Sequence, residues 1–154
     1  MRALAAMALM AGLVAGAASA TPADHYTPAD LAKIAEGLKA KATSGNASDI
    51  LARYPNHFTM LAYRNSDGNA EIHTQNADVF IIERGKATLI TEGSVPDAKE
   101  TGPGELRGAA VIGGKPVALT AGDIVHIPAG VPHQMLVGKG DEVVYFVVKI
   151  KEHE

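Results

Sequence analysis

The chain contains no cysteine. That absence removes disulfides, thiolate nucleophiles and every thiolate metal site. Stability must then come from burial and, where one is bound, from a metal held by nitrogen and oxygen. There is no basic excess either: 14 Lys and Arg stand against 17 Asp and Glu, a net charge of −3. No basic patch is visible, and nucleic acid is not an expected partner. The sequence has no G-x-S-x-G elbow, no phosphate-binding loop and no dinucleotide fingerprint. Its glycines are scattered at turns, where positive φ is needed, rather than gathered around a phosphate.

A sustained apolar run occurs at the start of the chain. Met1-Arg2 is followed by LAAMALMAGLVAGAASA, ending in Ala18-Ser19-Ala20. One positive residue, an apolar stretch and a small-residue site read as a secretory signal peptide over residues 1–20, cleaved after Ala20. The run is short for a bilayer and rich in Gly and Ala, which argues against an anchor. Cleavage takes Arg2 with it and leaves 13 basic against 17 acidic residues, a net charge of −4. The mature chain is expected to be periplasmic or secreted and free of the membrane. It is long enough for one domain with a core.

Residues 21–56 read as an N-terminal helical segment and 57–154 as a β-barrel domain. In the second TPAD, Thr27 is a helix N-cap, Pro28 the first helical residue and Asp30 the capping-box partner. Leu31, Ile34, Ala35 and Leu38 recur at helical spacing, forming one stripe to cover a sheet. A shorter helix is expected around Asp49 to Tyr54, before Pro55. From His57 the period changes. HFTMLAYR, EIH, ADVFIIE, ATLITE, GAAVIG, DIVHIP, HQMLVG and EVVYFVVKI read as strands, with turns at NSDGN, ERGK, GGKP and GKGD. Residues 93–107 read as a loop long enough to act as a lid. Many short strands without intervening helices indicate an all-β sandwich or barrel. The last strand is apolar on both parities, so both its faces should be covered, one by the barrel interior and one by the helix or a second subunit.

A constellation of polar residues interrupts this pattern. Glu71 and His73 are two apart on a strand and share a face. His133 follows a corner built from Pro128, Gly130 and Pro132, which fixes where its ring begins. Two imidazoles with one or two carboxylates from different strands can form an open divalent-metal site. Taken singly, His73 fits an ordinary hydrogen-bonded strand residue and Glu71 a solvated edge charge. Gln75 reads as a turn residue that shares the Glu71 parity. His126 reads as packed or exposed rather than as an acid or base facing the cavity. His25, His57 and His153 carry no supporting pattern.

These residues bear a resemblance. The sequence is similar to the cupins, small double-stranded β-helix or jelly-roll barrels with two sequence motifs. The second, G-x5-P-x-G-x2-H-x3-N, is met by Gly122, Pro128, Gly130 and His133, with Val137 in place of the Asn. The first, G-x5-H-x-H-x3,4-E-x6-G, is altered: Asn65, Glu71, His73, Asp78 and Gly85 occupy its positions. The register with His73 first and Gln75 second leaves too few residues before Asp78 and is rejected. Thirty-six residues lie between Gly85 and Gly122.

The resemblance implies a cupin barrel with an N-terminal helix. It also implies that His73, Asp78 and His133 hold a divalent metal, with Glu71 as a fourth ligand or a displaced general base. Asp78 is one methylene shorter than the usual Glu. A two-His, two-carboxylate set favours Mn(II), Fe(II), Zn(II) or Ni(II) over copper. The expected partner is a small polar molecule, handled by a metal-dependent enzyme of dioxygenase, isomerase or lyase type. The alternative is a non-catalytic ligand-binding or metal-stabilised module. A homodimer is expected because small cupins often pair and an apolar last strand leaves an edge to protect.

Overall fold

The computed structural model describes residues 22–152. The leader over 1–20, its cleavage after Ala20, and His153 lie outside the described residues. Helix α1 spans Pro28–Lys41. The Thr27 side chain accepts the Asp30 N–H at 3.2 Å, and the Asp30 carboxylate accepts the Thr27 N–H at 2.9 Å, closing the capping box. Ala35 and Leu38 are buried against Leu61, Tyr63 and Val144. Complete burial of Leu38 contributes about 1.5–3 kcal/mol and ties the helix to the outer face of the sheet.

Ten strands follow: β1 Asn46–Arg53, β2 His57–Arg64, β3 Ala70–His73, β4 Asn76–Thr91, β5 Lys99–Gly102, β6 Glu105–Gly108, β7 Lys115–Thr120, β8 Ile124–Ile127, β9 His133–Leu136 and β10 Val143–Lys151. Their order is β1-β2-β10-β4-β9-β3-β6-β5, with β7 and β8 also paired to β4. All pairs are antiparallel. Strand β4 serves both walls of the barrel. Its first half pairs with β10 and β8, and its second half with β7 and β9. Phe80, Ile82, Leu89, Leu119, Tyr145 and Val147 fill the space between the walls.

Several expectations are corrected by the sheet. Residues 49–53 form part of strand β1 instead of a short helix, because backbone pairing to β2 outweighs local preference. ERGK is a bend inside β4, where Gly85 takes φ +82° and a Cβ would collide with the carbonyl of Glu142, just before β10. The 93–107 loop contains the β5–β6 hairpin. GAAVIG is largely irregular, touching the fold through the Ser94–Ile112 bridge, while β7 was not expected. On β10, Val143, Tyr145 and Val147 face the barrel, and Val144 and Phe146 face α1. That strand lies between β2 and β4 rather than at an edge, which removes the edge argument for a homodimer.

Candidate metal centre

Strand pairing brings the polar residues together. On β3, Glu71 stands opposite His133 of β9 on one side and Arg107 of β6 on the other. His73 stands opposite Glu105 of β6. On β4, Asp78 shares the inward parity of Phe80 and Ile82 and pairs with Lys149 of β10. The corner before His133 is fastened to β3: Gly130, at φ +80°, donates its N–H to the His73 carbonyl at 2.8 Å. This bond adds to the β3–β9 pairing in fixing the two histidine strands relative to each other.

The side chains converge. The ring centroids of His73 and His133 are 5.1 Å apart. His73 Nε2 lies 3.3 Å from Glu71 Oε2 and 3.3 Å from Asp78 Oδ2. His133 Nε2 lies 3.9 Å and 3.7 Å from the same two oxygens. Two donors bound about 2.1 Å from one ion can be at most about 4.2 Å apart, and all four separations fall under that limit. Donor atoms of Glu71, His73 and His133 all lie within 4.8 Å of one another. Asp78 is not part of that three-residue group, although its Oδ2 lies near both imidazole nitrogens, and Lys149 Nζ stands 2.8 Å from its other oxygen.

Hydrogen bonds settle which nitrogens face inward. His133 Nδ1 is 3.0 Å from the Val131 carbonyl, which can only accept, so this nitrogen carries the proton. His133 Nε2 is left buried with no hydrogen-bond partner. Burial lowers the His133 pKa and keeps the ring neutral, with a bare lone pair aimed at the carboxylates. His73 Nδ1 lies 2.6 Å from Glu105 Oε2 and donates to it. Burial opposes charge on His73, but hydrogen bonds to Asp78 and Glu71 outweigh it and raise the pKa to about 9. Glu71 is desolvated too, yet His73 and Arg107 hold its pKa at about 2. Asp78 is likewise lowered: desolvation is overcome by His73 and Lys149. Neutral His133 with an orphaned inward nitrogen suits a cation, so the residues present fit a divalent ion.

The sequence reading missed Glu105, Arg107, Lys149 and Arg64. All four line the same cavity of about 630 Å³ as Glu71, His73 and Asp78. Parity is the cue for Lys149 and Arg64, since Lys149 continues the inward series Val143, Tyr145, Val147 and Arg64 that of Met60 and Ala62. Gln75 sits in the bend between β3 and β4, His126 and His25 are exposed, and His57 stacks on Tyr54 at 4.5 Å.

Comparison with known proteins agrees with this architecture. A family described as "Cupin domain" matches residues 104–149, which contain the second motif with its Val137 departure but not the altered first one. The chain has a cupin fold. Among solved structures it resembles a double-stranded β-helix protein of Klebsiella pneumoniae (12% identity, 71% of this chain and 80% of that one, TM-score 0.54). It also resembles the Cnp3 cupin domain of Schizosaccharomyces pombe (10% identity, 70% and 65%, TM-score 0.53). A third is the DMSP lyase DddQ of Ruegeria pomeroyi (17% identity, 78% and 55%, TM-score 0.53). The chain thus spans less than two thirds of the last two structures. No curated protein matches it in sequence.

Proposed function

We propose that this chain is an exported cupin that holds one divalent first-row ion among Glu71, His73, Asp78 and His133, and acts there on a small polar molecule. The observation that carries the reading is the bare, buried His133 Nε2, which faces two ionised carboxylates and has no partner. When bound, such an ion supplies Lewis acidity and a template for an oxygen-bearing substrate. The protein's own groups supply the rest. Glu105 orients the His73 ring, Val131 fixes the His133 tautomer, and Phe80 and Val147 line the cavity with apolar surface. With its pKa at about 2, Glu71 is a weak base at neutral pH, so it serves as ligand rather than as proton acceptor. A lyase and a polyketide cyclase are among the similar folds, but fold alone does not choose a reaction.

A second reading is favoured by one observation. Arg107 and Lys149 already pair with Glu71 and Asp78, which offsets the charge of both carboxylates without an ion. A non-catalytic ligand-binding module would then result. Elemental analysis of protein purified without chelators from its own exported compartment, with a turnover screen on sugars, phenols and keto acids, separates the two. One stoichiometric first-row ion with turnover supports the first reading. Absence of any such ion overturns it.

A further inference from the structure

The cavity wall carries three cations, Arg64, Arg107 and Lys149. Two have carboxylates of their own: Arg107 contacts Glu71, with Glu105 Oε2 3.9 Å away, and Lys149 contacts Asp78. Arg64 is different. Its Nε donates to the Tyr145 hydroxyl at 3.0 Å, and among the described residues no carboxylate stands within ion-pair distance of it. Tyr145 cannot neutralise it, because burial raises the phenol's pKa and keeps it protonated. The guanidinium is also held in place from behind. A Cβ at Gly68 would come within 2.9 Å of Arg64 Nη1, so the glycine leaves room for the flat group to lie against the backbone.

The charges along this wall point the same way. Once a bound ion has displaced the His73 proton, both histidines are neutral, and Glu71, Asp78 and Glu105 are matched in number by the three cations. A divalent ion then adds two uncompensated positive charges to a partly desolvated cavity. A neutral sugar or phenol would leave that excess standing, and Arg64 with no anion in contact, Glu71 acting on it only at longer range. A carboxylate fits the guanidinium fork through two parallel charge-assisted hydrogen bonds. We propose that the cavity takes a small organic acid, whose carboxylate docks on Arg64 while the rest of the molecule extends toward Glu71, His73 and His133. This rests on the reading of those residues as the functional centre of the barrel.

The test is calorimetric titration of the mature chain, both metal-free and loaded with Mn(II). The probes are glycolate, malate, 2-oxoglutarate and citrate, each beside its neutral amide. At least one acid is expected to bind, with its amide at least tenfold weaker. Arg64→Gln is expected to weaken that acid tenfold or more, and Arg64→Lys, which keeps the charge but loses the fork, to restore part of the loss. Mn(II) stoichiometry and melting temperature on each variant report whether the barrel is intact. Failure of every acid to bind, an amide equal to its acid, or undiminished binding to folded R64Q overturns the proposal. The two readings fail separately. Acid binding that depends on Arg64 in a chain that takes no Mn(II) overturns the metal reading alone. Mn(II) binding without Arg64-dependent acid binding overturns this one alone.

Discussion

His73 Nδ1 donates to Glu105 Oε2 across the β3–β6 pair at 2.6 Å, which turns the other ring nitrogen toward Glu71 and Asp78. The carboxylate thus selects the tautomer that a cation needs and strengthens the ring as a donor. Glu105→Ala is expected to weaken Zn(II) or Mn(II) binding about 10- to 100-fold. Glu105→Gln keeps an acceptor oxygen and should lose less. Competition with a chromogenic chelator measures both; equal losses in the two variants would mean that charge, not ring orientation, is what Glu105 provides.

His133→Ala should abolish metal binding. The histidine side chain is 5% exposed, its Nδ1 is tied to Val131, and its Nε2 has no other partner. No neighbouring nitrogen can replace it, since His73 Nε2 is already counted in the set. Wild-type protein is expected to lose melting temperature on adding chelator, and the variant is expected to show no chelator effect. Full metal occupancy in His133→Ala would show that the ion, if any, sits elsewhere.

Gly85→Ala tests the bend that lets β4 serve two walls. The residue has φ +82°, and an added Cβ would meet the Glu142 carbonyl and the Val143 Cα of β10. Backbone on both sides must shift, so the loss should exceed about 1 kcal/mol. Because the bend lies seven residues beyond Asp78 on the same strand, metal affinity should fall too. Urea unfolding of the metal-free chain reads the first effect. Unchanged stability would mean that β10 yields there at little cost.

What could be read in advance divides by whether the information is local. Strand β2 was legible as HFTMLAYR because a change of period is visible within eight residues. The α1 cap was legible because Thr27 and Asp30 are neighbours in sequence. Glu71, His73, Asp78 and His133 were singled out by parity and by spacing about fixed glycines and prolines. Strand β1 was misread because its identity depends on pairing with β2, a tertiary contact that overrides propensity. Glu105 and Arg107 were hidden for the same reason: their importance comes from standing opposite His73 and Glu71, a register that no local pattern announces.

The pH dependence should show two opposite trends in one window. In the metal-free chain, His73 has its pKa raised from 6.5 to about 9 by Asp78 and Glu71, against the effect of burial. A raised folded pKa means that the imidazolium stabilises the fold fully below about 6.5, and that this stabilisation is lost as pH climbs through about 9. His133, lowered by burial, acts on the acid side of its ordinary value and adds nothing to this upper window. Metal-free melting temperature should therefore fall between pH 6.5 and 9. A bound cation must displace the His73 proton, so metal affinity should rise across the same interval. Scanning calorimetry with and without chelator follows both. In His73→Gln the fall in metal-free stability should be flattened, because the group that titrates is gone. If metal-free stability instead held level or rose from pH 6.5 to 9 in the wild type, His73 would not be charged between its carboxylates.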